Sequence, residues 1–97
     1  MFLKVHRSPD GNEVVAACDR ELIGTTITHG KLTVRITKEF YGETVASEDE
    51  VRKALEQGSN INLMGRRTVD LAVRMGIIDP SCCMLIGTVP HAQIVSL

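Results

Sequence analysis

Residues 61–76, INLMGRRTVDLAVRMG, carry the balance between sheet and helix in this chain. At helical spacing, Ile61, Met64, Gly65, Thr68, Val69, Leu71, Ala72 and Met75 share one broad face. Arg66, Arg67, Asp70 and Arg74 take the other, joined there by Leu63 as its one apolar member. The pattern predicts a helix from Ile61 to about Met75. Gly76 ends it, and Asp79-Pro80 forbids its resumption. Gly65 lies on the apolar face, where it lets another backbone come close. Asn62 falls at the edge of that face, where its amide needs partners from backbone or from a ligand.

Upstream, SEDEVRKALEQG (47–58) predicts another helix. Ser47 is the N-cap, Glu50 stands at capping-box spacing, acids fill the first turn and Gly58 stops it. MFLKVHR and EVVAACD, separated by SPDGN, read as a β-hairpin. KLTVRIT alternates, with Leu32, Val34 and Ile36 on one face. RELIGTTITHG (20–30) is an irregular connection that includes a short strand, and FYGETV is a bend. Downstream, CCMLIGTV and HAQIVSL are apolar β runs broken by Gly87 and Pro90. The expected order is β-β-β-α-α-β-β. That is an α+β fold, a mostly antiparallel sheet of about five strands with two helices on one face.

At 97 residues the chain makes one domain, 1–97. Only Phe2, Phe40 and Tyr41 are aromatic, so the core is expected to be aliphatic. The net charge of -1 leaves little for non-specific binding of duplex DNA, which rests on neutralising phosphates. Cys18, Cys82 and Cys83 lack disulfide spacing and suit a reducing, intracellular compartment. Neither a signal peptide nor a run of membrane-spanning length is visible. Adjacent strand residues such as Cys82 and Cys83 face opposite ways, so no metal site and no cofactor is expected.

Candidate chemistry gathers in two places. Arg66 and Arg67 with Leu63 would present a mixed basic and apolar surface suited to a protein or ribonucleoprotein partner. In GTVPHAQIVSL (87–97), His91 and Gln93 share a strand face with Val95 and Leu97, and Pro90 marks a strand start or an edge. Histidine serves as acid or base near neutrality, and glutamine both donates and accepts. No Ser-His-Asp order, phosphate loop or paired-carboxylate motif accompanies them, so catalysis stays open.

The stretches NINLMGRRTVDLA, GIIDP and GTVPHAQIVSL, with MFLKVHR and EFYGE, resemble the archaeal domain of unknown function 424 over the whole chain. The resemblance rests on Asn62, Gly65 and Val89 to Gln93. It implies an archaeal cytoplasmic protein, and it draws attention to Asn62 and Gly65 beside Pro90, His91 and Gln93. These are expected to meet in space, with Asn62, His91 and Gln93 lining one polar notch. A link to RNA or translation is an expectation from the kind of compact accessory protein archaea keep; no motif here carries it.

Two functions follow as expectations. One is a non-enzymatic binding or adapter module using the Arg66/Arg67 face and the His91 edge. The other is a small enzyme or small-molecule binder using His91, oriented by Gln93 and Asn62. An exposed last strand can also pair with a copy of itself, which leaves a homodimer open.

Overall fold

The computed structural model describes residues 1–95. It is an α+β fold built on a five-stranded, mostly antiparallel sheet whose strands lie in the order Phe2–Arg7, Glu13–Cys18, Asn60–Met64, Val89–Val95, Met84–Ile86, with a separate two-stranded sheet. The strands of the main sheet are β1 (Phe2–Arg7), β2 (Glu13–Cys18), β5 (Asn60–Met64), β6 (Met84–Ile86) and β7 (Val89–Val95). β3 (Thr26–His29) and β4 (Leu32–Arg35) form the small hairpin. The helices are α1 (Lys38–Tyr41), α2 (Glu48–Gln57) and α3 (Arg66–Arg74). Among the described strands of this sheet, β2 and β5 run parallel and the other neighbours antiparallel.

The sheet is covered on both sides. Val15, Ala17, Ile61, Leu63 and Ala92 face α2 and α3, which bury Val51, Leu55, Val69, Leu71 and Ala72 against them. That layer is wholly aliphatic, as the composition implies. On the other face, Phe2, Ala16, Cys18 and Met64 meet Ile36 and Tyr41, with Ile27, Val34 and Phe40 at the margin. All three aromatics belong to this second layer.

Local signals are realised where they are strongest. The Ser47 hydroxyl accepts from the Glu50 N–H, and the Glu50 carboxylate accepts from the Ser47 N–H, both at 3.1 Å. Such a cap contributes about 1 kcal/mol. The β1–β2 turn closes through Gly11 N–H to Ser8 C=O at 3.0 Å, with Gly11 at φ 89°.

The segment expected as one helix from Ile61 is instead β5 followed by α3. Asn60, Asn62 and Met64 point to one face of the sheet while Ile61 and Leu63 point to the other, the period of a strand. Gly65, at φ 109° and ψ 156°, turns the strand into the helix. The helical reading arises because Ile61, Met64 and Gly65 fall at helical spacing with Thr68, Leu71 and Ala72, so the short strand merges with the apolar face of α3. KLTVRIT correspondingly lies outside the main sheet: β4 pairs with β3, and β5 takes the central place. No helix among the described residues is long and apolar enough to cross a membrane.

Candidate functional site

β5 and β7 pair with Asn62 opposite Gln93 and Met64 opposite His91. Opposed residues of an antiparallel pair share a face. Asn62, His91 and Gln93 therefore lie on one side of the sheet, the side of α1 and the β3-β4 hairpin. Val95 shares that side and Ala92 and Ile94 take the other, as the alternation implies; Leu97 lies outside the described residues. A groove of about 310 Å³ opens here, lined by Val34, Arg35, Phe40, Tyr41, Asn62, Met64, Ile86 and His91. Its floor is apolar, its polar groups are few, and Arg35 stands exposed at the rim.

Two hydrogen bonds orient the polar groups. The Tyr41 hydroxyl donates to Asn62 Oδ1 at 2.7 Å, leaving the Asn62 N–H groups for another acceptor. Burial, and secondarily the nearby Cys18, pushes the Tyr41 pKa upward, so the hydroxyl keeps the proton it donates. His91 Nδ1 lies 2.8 Å from the Leu63 carbonyl. A carbonyl only accepts, so Nδ1 carries a hydrogen and Nε2 of the neutral ring keeps its lone pair. The site thus offers an acceptor on His91 near donors on Asn62. At the foot of the same stripe, Asn60 Oδ1 is buried without a partner among the described residues.

Phe40 borders the groove. Its ring stacks on His6 with centroids 4.9 Å apart, and the Phe40 carbonyl accepts from His6 Nε2 at 2.7 Å. The ring meets Tyr41 edge-on, with centroids 4.8 Å apart. Tyr41, Phe40 and Arg35 were not marked as site residues by the sequence. The available signal was the EFYGE bend, which carries two of the three aromatics.

The second group of candidates lies at the end of β5, where the strand turns into α3. Gly65, Arg66, Arg67 and Pro90 line a separate cleft of about 260 Å³ with Asp19, Glu21 and Thr88. Its centre is structural. Asp19, 4% exposed, accepts from Arg67 N–H at 3.1 Å and from the N–H and hydroxyl of Thr68, each at 2.8 Å. A carboxylate from the end of β2 thereby caps α3, whose own cap residue Gly65 has no side chain to do so. Glycine is required because a Cβ there would sit 2.4 Å from Asp19 Cγ. The close approach expected at Gly65 is made by this side chain. Pro90 fits because its carbonyl accepts from Gly65 N–H at 2.8 Å just where β5 ends, so its missing N–H costs no ladder bond.

Leu63 corrects the sequence reading. It is 0% exposed, packed in the aliphatic layer, and cannot join Arg66 and Arg67 in a surface patch. Arg67 reaches both carboxylate oxygens of Glu21 at 2.8 Å, and Arg74 bonds Asp70 and Glu48. Arg66 is exposed and makes no ion pair among the described residues. Arg66 and Arg67 line the cleft at the end of β5, and His91 lines the groove beside Asn62, so the two groups belong to different concavities.

Cys18 is buried in the second layer, and burial, with Asp19 adding to it, raises its pKa from 9.0 to about 12. It is a packed thiol, not an activated one. Because the folded pKa exceeds the unfolded one, the stability this thiol contributes is full below pH 9 and falls as pH rises toward 12. The fall for this group reaches at most about 1.4 kcal/mol per pH unit. Urea unfolding at pH 7, 9 and 10.5 measures it. Cys18→Ala is expected to flatten the part of the slope nearest pH 9, and an unchanged slope would contradict the assignment.

Comparison with known proteins accords with this fold. The crystal structure of an uncharacterized conserved protein from Methanopyrus kandleri is similar, with TM-score 0.79 and 25% identity over 99% of this chain and 92% of that one. No curated protein matches the chain. The sequence pattern described as "Protein of unknown function (DUF424)" matches residues 6–97, and the chain belongs to that family.

Proposed function

We propose that the chain is a binding module that takes its ligand in the groove between Asn62 and His91. The observation that carries this is the pair of internal bonds, Tyr41 to Asn62 and His91 to Leu63, which hold a donor and an acceptor ready beside an apolar floor. Small-ligand sites have this character, a few placed polar groups in a largely apolar concavity. A fitting ligand donates to His91 Nε2, accepts from the Asn62 amide and places an anionic group toward Arg35. A nucleotide does all three, through a base edge and its phosphate. This reading joins the groove to a ribonucleoprotein partner without needing a basic surface.

Binding is preferred to catalysis because the groove sets His91 beside no carboxylate or thiol. Its one buried hydroxyl, on Tyr41, is committed to Asn62. A lone imidazole with no partner nucleophile is a recognition group more readily than a catalytic one.

The test is the native mass of the untagged protein purified from its own cells, with and without ribonuclease. It is joined to ¹⁵N-detected titrations with 5′-mononucleotides. Extra mass lost on ribonuclease treatment, and shifts at the Asn62 side-chain amide that vanish in His91→Ala, are the expected results. Shifts confined to Arg66 and Arg67 would overturn the assignment. Tyr41→Phe is expected to lower stability by about 1–2 kcal/mol, because Asn62 Oδ1 loses its donor. Nucleotide affinity should fall with it, since the amide is then free to rotate. Unchanged affinity in a folded Tyr41→Phe protein would count against the orienting role.

A further inference from the structure

We infer that the outer edge of β7 pairs with the same edge of a second copy of this chain, joining two five-stranded sheets into one. β6 spans only Met84–Ile86 and covers β7 from Val89 to His91. From Ala92 to Val95, β7 has no outer neighbour among the described strands.

The register identifies the free groups. Gly65 N–H donates to the Pro90 carbonyl, and Met64 lies opposite His91. Antiparallel alternation then turns the N–H and C=O of Ala92 and Ile94 toward β5, and those of Gln93 and Val95 outward. Two donors and two acceptors are left on an open edge.

The two edges of the main sheet are treated differently. β1 carries Lys4 and Arg7, and its start is bridged by Val45. Charges and covering segments of this kind block edge-to-edge pairing. Neither β6 nor β7 contains a Lys, Arg, Asp or Glu. Met84, Leu85 and Val95 there are 56%, 56% and 58% exposed, the highest values among the large exposed apolar residues.

A second copy is the occupant this edge fits, because the edge is complementary to itself. Antiparallel pairing about a two-fold axis at Ile94 sets Gln93 of each copy against Val95 of the other and makes four backbone hydrogen bonds. No like charges are brought together. An interface of this kind uses one patch twice and closes on itself.

The experiment is sedimentation equilibrium on the full chain from about 10 μM to about 1 mM, a range set by the affinities of modest interfaces. The wild type is expected to show a monomer–dimer equilibrium. Val95→Lys places a charge on an exposed side chain. Gln93→Pro removes one outward N–H while leaving the inward bonds of Ala92 and Ile94 to β5. Each is expected to weaken dimerisation at least about tenfold, close to 1.4 kcal/mol. Val5→Lys on the opposite edge is expected to leave it unchanged. A wild type that stays monomeric throughout overturns the inference and leaves the edge to a foreign strand. A dimer that survives both edge substitutions overturns it too.

Discussion

Leu63→Asp is expected to abolish the fold, with loss of the cooperative thermal transition and of near-native circular dichroism. Leu63 is fully buried among Val15, Leu71, Ala92 and their neighbours on the helix-covered face of β5. Truncating a leucine in such a place costs about 2–5 kcal/mol from lost burial and the cavity left behind. A carboxylate there adds either the cost of a buried charge or that of neutralising it. The total approaches the whole stability of a domain this size, about 5–15 kcal/mol. Leu63→Met, close in volume, should cost less than about 1.5 kcal/mol. Arg66→Ala, on the surface, should change stability by no more than about 0.5 kcal/mol. A folded, cooperatively melting Leu63→Asp protein would show that β5 is not where the structure places it. Partner capture lost through this substitution would report unfolding, not a docking face; the basic surface is tested by Arg66 and Arg67 alone.

The second large effect is expected at the cap of α3. Asp19→Ala should lower the unfolding free energy by about 3–4 kcal/mol. The cap itself accounts for about 0.5–2 kcal/mol. Each buried donor left unpaired adds about 1–3 kcal/mol before any relaxation. Thr68, at 0% exposure, loses the acceptor for both its N–H and its hydroxyl, and Arg67 N–H loses its own. Gly65→Ala should cost a similar amount by a different route. It forces a methyl group against the Asp19 side chain, at a backbone φ of 109° that costs a substituted residue about 1–3 kcal/mol. The two substitutions share one contact and should not add. The double variant is expected to be more stable than the sum predicts by about 1–2 kcal/mol, since removing the carboxylate removes what the new Cβ strikes. Urea denaturation of all four proteins closes the cycle. Simple additivity would mean that Gly65 is required for its φ alone.

These two positions mark the division between what was legible in the chain and what was not. Ser47 and Glu50 sit three residues apart, and the box they form was readable because both partners belong to one turn. The hairpin at Ser8 to Asn12 was readable for the same reason. So was the split of His91 and Gln93 from Ala92 and Ile94, since strand alternation is a local property. The amphipathic helix α3, from Arg66 onward, also declared itself by spacing.

The run Asn60 to Gly65 did not, because its environment is made by distant segments. Ile61 and Leu63 are buried by α2 and α3, Met64 by the layer around Ile36, and Asn62 is held by a tyrosine 21 residues away. Ile61, Met64 and Gly65 also fall at helical spacing with Thr68, Leu71 and Ala72, so the short strand extends the pattern of the helix that follows. Asp19 gave no signal at all as a cap, since it meets α3 across 48 and 49 residues. The turns, the cap within one helix, the apolar faces of the helices and the class of the fold could thus be read from the chain alone. That Leu63 is core, that Arg66 and His91 line different concavities, and that Asn62 and His91 share a groove rests on contacts between distant segments. Local geometry follows from neighbours in the chain, whereas a site is assembled by contacts that exist only once the strands have found their order.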